Sequence, residues 1–138
     1  FVNSVSFSPD GNTIASGGAD NTVRLWSVAG QELQVFNGHA AAINSVRFSP
    51  DGQTIASASA DSTIKLWSIA GEELATLKGH SSYVNGVGFS PNGQQLISAS
   101  ADNLIKVWSI TGQELKTLQG HSGAVQSVSF TPDGRVIV

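Results

Sequence analysis

The sequence predicts an all-β fold made of repeated four-stranded antiparallel units, and three observations predict it. The string FSPDG at Phe7–Gly11 returns at Phe48–Gly52, then as FSPNG at Phe89–Gly93 and FTPDG at Phe130–Gly134, always 41 residues on. Trp26, Trp67 and Trp108 keep the same interval, as do the Gly-His pairs Gly38-His39, Gly79-His80 and Gly120-His121. Fifteen glycines in 138 residues signal many tight turns, and no helical spacing of apolar residues competes with the strand pattern.

The second unit shows the elements in order. Strand A is predicted at Ile43–Ser49 and ends at Pro50-Asp51-Gly52, where proline presets φ and glycine supplies φ > 0 for a tight hairpin. Strand B follows at Thr54–Ser59, and Ala60-Asp61-Ser62 turns the chain. Strand C, Thr63–Ile69, is rich in β-branched and aromatic residues. Ala70-Gly71-Glu72 turns again into strand D, Glu73–Lys78, and Gly79-His80 leads onward. Strands about ten residues apart indicate a sandwich, barrel or propeller. A fixed four-strand period of 41 residues selects the β-propeller, whose blades span roughly 40–45 residues. The expected layout is one propeller segment over 1–138. It has blades near 2–38, 43–79 and 84–120, then a partial blade at 125–138 holding strand A and the beginning of strand B.

At these residues the chain resembles the WD-repeat β-propeller family, over essentially its whole length. The spacing of Gly-His, F-S-P-D-G, A-S-x-x-x-D and L-W repeats three times, with Asn92, Ile97 and Val107 as replacements in the third copy. The near-identity of the units resembles bacterial propellers with recently amplified repeats. One departure is that Ser27, Ser68 and Ser109 stand where the family usually places an Asp after the Trp.

Composition excludes several classes. Charged residues are only 12%, against a usual share of about 25%, so no disordered charged tail is expected. Net charge is −3 with no basic run, which argues against a nucleic-acid partner. No apolar stretch approaches the roughly 18 residues of a membrane span, so no membrane partner is expected. Zero cysteines exclude a disulfide framework and thiolate chemistry, and a cytoplasmic setting is expected.

His, Ser and Asp recur together, which opens two readings. One is nucleophilic catalysis of the Ser-His-Asp kind. The other is a buried hydrogen-bond chain. The family resemblance implies a structural tetrad of His, Ser, Asp and Trp in each blade. On this sequence the tetrads are His39/Ser57/Asp61/Trp67 and His80/Ser98/Asp102/Trp108. The first blade keeps Ser16, Asp20 and Trp26 without a His, and the tetrad Ser expected for His121 would fall one residue beyond Val138. The second reading is preferred: a catalyst is needed once, this set repeats, and no Gly-x-Ser-x-Gly elbow accompanies it. Asp10, Asp51 and Asp133 belong to the hairpins. Glu32, Glu72, Glu73 and Glu114 fall in or beside exposed C–D turns, pointing outward at equal steps. The three histidines are one per repeat, so no metal site and no cofactor are expected.

The resemblance also implies a partner-binding face where the D–A loops meet the starts of strand A. By spacing, its contact positions are Phe1/Asn3, Ala42/Asn44, Tyr83/Asn85 and Ala124/Gln126, joined by Ala19, Ala60 and Ala101. Arg47 is the odd member of a set whose other members are Ser6, Gly88 and Ser129. The expected function is a non-catalytic protein-interaction scaffold belonging to a larger bacterial-type propeller or signalling protein. The alternative is a natural or engineered fragment that closes a ring by homo-oligomerisation. Blade faces left open would be covered by the rest of a parent propeller or by further copies of the chain. The parent-chain source is preferred, because residue 1 already lies inside an alternating pattern and two copies would bring surplus hairpins.

Overall fold

The computed structural model describes all residues, 1–138. Twelve strands form, in chain order: β1 Val2–Phe7, β2 Thr13–Gly18, β3 Val23–Ser27, β4 Glu32–Phe36, β5 Ile43–Phe48, β6 Thr54–Ser59, β7 Thr63–Ser68, β8 Glu73–Lys78, β9 Val84–Phe89, β10 Gln95–Ser100, β11 Ile105–Ser109 and β12 Glu114–Leu118. They make three antiparallel meanders, β1–β4, β5–β8 and β9–β12, each in simple chain order. No helix is long and apolar enough to cross a membrane.

Strands A and C stop one residue earlier than the alternation suggested. Ser49 leaves β5 because its hydroxyl donates to Asp51 (2.6 Å) and accepts from the Thr54 amide (3.0 Å), which ties it into the turn. Ile69 lies beyond β7 and is exposed. The partial fourth blade differs more. Residues 125–138 form no strand. They fold into a loose hairpin whose only bridge joins Phe130 to Ile137, closed by Ser129–Val138 and Thr131–Val136 backbone bonds. With no third strand beside it, this hairpin lacks the ladder that fixes the others.

The sheets stack face to face. Ala15, Val23, Leu25 and Phe36 of the first meet Ile43, Val46, Phe48, Ile55 and Trp67 of the second. Ala56, Ala58, Ile64, Leu66 and Leu77 of the second meet Val84, Val87, Leu96 and Trp108 of the third. The tail places Val125 and Val128 on Ile97, Ala99 and Val107. Residues alternate between faces with period two, so each central sheet is apolar on both sides. The A strands are innermost, β1 against β5 and β5 against β9.

In every sheet the C–D pairing slips at the tryptophan: between Leu25 and Trp26, Leu66 and Trp67, and Val107 and Trp108. Such bulges re-aim a side chain. At Gly17 the first interface leaves no room for a side chain. A Cβ on Gly17 would run into the Ile43 side chain and lie 2.9 Å from Val46, although the matching positions in the other sheets are Ala58 and Ala99. Gly17→Ala should therefore overpack this interface and cost about 1–3 kcal/mol. A urea unfolding curve showing unchanged stability would contradict the packing described.

Candidate functional site

Each complete site starts on the loop before strand A. His39 and His80 are buried, with side chains 1% exposed, beneath the B–C turn of their own sheet. His39 Nδ1 lies 2.7 Å from Asp61 and Nε2 lies 2.8 Å from Ser57 Oγ. The Trp67 indole donates to the same hydroxyl at 2.9 Å. In the third sheet the corresponding distances are 2.8 Å from His80 to Asp102, 2.7 Å to Ser98 and 2.9 Å from Trp108 to Ser98. The structure thus brings both predicted tetrads together.

The donor inventory fixes the direction of the chain. Indole N–H can only donate, so Ser Oγ accepts from it and donates its own O–H in a hydrogen bond to His Nε2. The imidazole is then neutral, with Nδ1–H donating to an ionised carboxylate. Burial pushes the His39 and His80 pKa values down, outweighing the neighbouring Asp61 and Asp102. Burial also pushes Asp61 up, but hydrogen bonds from Thr63, His39 and the Ala40 amide outweigh it and hold the carboxyl at about 2. Asp102 is lowered in the same way, with His80 and the Ser81 and Leu104 amides as donors.

Ser57 and Ser98 have no exposed surface, so no substrate reaches either hydroxyl from solvent. Every buried side-chain polar atom has a partner. The glycines before the two tetrad histidines, Gly38 and Gly79, have a packing role. A Cβ on Gly38 would sit 3.0 Å from the Trp67 ring, and one on Gly79 would sit 3.0 Å from the Trp108 ring. His39 and His80 also meet these indoles edge-on, at centroid distances of 6.2 and 6.0 Å.

The first sheet differs. Trp26 still donates to Ser16 at 2.8 Å, but Asp20 is exposed and bound by Thr22 and Arg24. His121 is exposed and has no carboxylate against it.

Two sets of contacts escaped the sequence reading. Lys65 and Lys106 are buried beside the tryptophans, each 2.7 Å from a glutamate (Glu73, Glu114) and close to a threonine (Thr76, Thr117). Arg24 and Glu32 form the exposed version in the first sheet. Glu32, Glu73 and Glu114 are therefore ion-pair partners rather than free outward charges. The second set links the sheets. The side-chain amides of Asn3, Asn44 and Asn85 donate to the carbonyls of Ile43, Val84 and Val125 at 2.9–3.0 Å. The 41-residue recurrence of Asn3, Asn44 and Asn85 and of a basic residue at 24, 65 and 106 shows the residue types in the sequence but neither their burial nor their partners.

Other positions of the expected partner face are placed as follows. Phe1, Tyr83, Ala124 and Gln126 are exposed, and Ala42 is half-buried. The carbonyls of Phe1, Ala42 and Tyr83 accept from the amides of Ala19, Ala60 and Ala101. Arg47 is exposed on the inner side, with Nη1 on the Val46 carbonyl at 2.8 Å, in a cleft that Gly88, Ser127 and Ser129 also line. A cleft of about 430 Å³ between the lower hairpins of the second and third sheets is lined by Leu66, Leu74, Phe89 and Ile110, away from the histidines.

Comparison with known proteins agrees with this geometry. Residues 1–136 match the family described as WDR90, 4th beta-propeller. The chain belongs to the WD-repeat β-propeller family. Forty residues are also 55% identical to the Notchless protein homolog of Arabidopsis thaliana, covering 28% of this chain and 8% of that protein. The chain is thus much shorter than this WD-repeat relative. WD-repeat propellers are typically non-catalytic interaction scaffolds.

The tetrad of the third WD blade yields two expectations. His80→Ala leaves the Asp102 and Ser98 groups without their shared partner and should cost about 1–3 kcal/mol, read as a lowered melting transition. The pH dependence has a definite sign. The folded histidine pKa lies below its unfolded value near 6.5, so the unfolded chain binds more protons in between. Stability is full above that unfolded value and should fall as pH drops through it toward the folded pKa. A further loss follows as pH drops from the ordinary carboxyl range toward about 2, where Asp61 protonates. Urea midpoints at successive pH values check both steps.

Proposed function

We propose that the chain is a non-catalytic scaffold that docks a protein partner on the face formed by the D–A loops and the starts of the A strands. The observation that carries this reading is Tyr83, 58% exposed on that face with the small residues Ala101 and Ala124 at neighbouring expected positions. A rigid aromatic among small uncharged neighbours suits the centre of an interface. The tetrads support it, since they pin the loop before each complete A strand to the B–C turn and present the face as a fixed surface. The uniformity of the repeats supports a bacterial-type propeller.

The asparagines of this face serve the joints between blades, which leaves Tyr83 as its main anchor. Photo-crosslinking residues placed at Tyr83 and at Glu72 in living cells should give a protein adduct from position 83 and none from 72. Tyr83→Asp should weaken capture of the identified partner while leaving the melting transition unchanged. Equal adducts from both positions would move the docking surface elsewhere.

A further inference from the structure

The joints between the complete sheets open in matching clefts at the end where the A–B hairpins and C–D turns lie. The cleft between the second and third sheets holds about 430 Å³, with Leu66, Leu74, Phe89 and Ile110 on its walls. The cleft between the first and second sheets holds about 250 Å³. Its walls include Leu25 and Ile69, the repeat mates of Leu66 and Ile110. Leu33 and Phe48, the mates of Leu74 and Phe89, do not line it.

One substitution between the repeats matches this difference in width. Gln34 of β4 lies over the C–D turn of the second sheet, where a Cβ on Gly71 would be 2.5 Å from its amide nitrogen. Its mate on β8 is Ala75, and a Cβ on Gly112 would stand 3.8 Å from the Ala75 methyl. The shorter side chain leaves the wider cleft open toward the turn that carries Ile110. Phe89 is half-buried there, whereas Phe48 is buried. Leu74 and Ile110 are 53% and 39% exposed.

The polar side of the wider cleft bears one charge. Asp51 Oδ1 accepts from the Ser49 hydroxyl at 2.6 Å and the Gln53 amide at 3.0 Å, and Oδ2 makes no bond within the chain. These two donors hold the carboxyl below its ordinary range, so it is ionised at neutral pH. No Lys or Arg lines the cleft, and Lys65 and Lys106 are engaged by Glu73 and Glu114. Ligand clefts commonly hold about 300–1,000 Å³, with apolar walls and a few placed polar groups. The wider cleft meets that description and lacks only the cation that Asp51 would pair with.

We propose that this cleft takes an aromatic side chain from an extended segment of a protein partner, with a Lys or Arg beside it on the Asp51 carboxylate. The ring packs on Leu74, Phe89 and Ile110, and the cation supplies the charge the cleft lacks. The cleft lies at the opposite end of the sheets from the D–A loops and does not involve Tyr83. The turn that carries Glu72 packs on Gln34 at the other joint. This second surface goes beyond the docking-face reading, and either can fail alone.

The test is a titration of the full chain, labelled at its Ile and Leu methyls, with acetyl-Arg-Phe-Arg-amide. The Leu74 and Ile110 resonances should move and saturate with a Kd on the order of 1 mM. The peptide acetyl-Glu-Phe-Glu-amide should bind at least about threefold more weakly. Asp51→Asn should weaken the arginine peptide by about threefold as well. That variant keeps the hairpin, because Asn92 fills the same place in the third unit with the same bonds to Ser90 and Gln94. Ala75→Gln copies Gln34 and should abolish the shifts at an unchanged melting transition; if it lowers that transition, Asp51→Asn decides. Methyl resonances that stay in place overturn the proposal, as do equal affinities for the two peptides or for wild type and Asp51→Asn. A response that survives Ala75→Gln overturns it too.

Discussion

A four-stranded WD sheet of this sequence is apolar on both faces, and neither face can be buried by the sheet itself. Everything else in the structure depends on that constraint. The second sheet is covered on both sides, and its Ile43, Ile55 and Ile64 are completely buried. The first is covered on one side only, and its inner strand leaves valines and a phenylalanine in water. Burial of apolar area is the main favourable term here, so stability is a property of joints between sheets more than of the sheets.

The polar network is fitted into this stack rather than added to its surface. The indole packs on the glycine before the histidine, donates to the serine, and through it sets the histidine tautomer. The histidine in turn holds the aspartate of the B–C turn. One chain of bonds therefore couples the apolar joint to the geometry of two loops. Because Ser57 and Ser98 are wholly enclosed, the same atoms that would suggest catalysis in a list of residues are spent on shape.

Most of this was legible because the repeat is exact in length. The interval of 41 residues placed the strands to within one residue, and it aligned His39, Ser57, Asp61 and Trp67 without any coordinates. The buried lysines were not legible in the same way. Lys65 looks like an ordinary polar position on an alternating strand, and only packing shows that Glu73 and Thr76 close over it. The asparagine links were misjudged for a related reason. Asn44 and Asn85 sit at positions where the family resemblance implies partner contacts, and their side-chain amides are engaged by the Val84 and Val125 carbonyls of the next repeat. Alternating side chains predict strand in the tail, where the structure has a single bridge between Phe130 and Ile137. Alternation specifies which face a residue takes and cannot supply the missing neighbour strand.

The asparagine links carry one more consequence. Each spans 40 residues, from Asn3 to Ile43, from Asn44 to Val84 and from Asn85 to Val125. The sheet-to-sheet contacts likewise join a repeat to the next one along the chain. The sequence distance that must be closed during folding is therefore set by the repeat and does not grow with the number of repeats. Loop-closure entropy is charged anew at each joint at the same modest level, and assembly can start at any joint and spread in both directions. A longer run of these units gains stability with every neighbouring joint while the search at each such joint stays the same length.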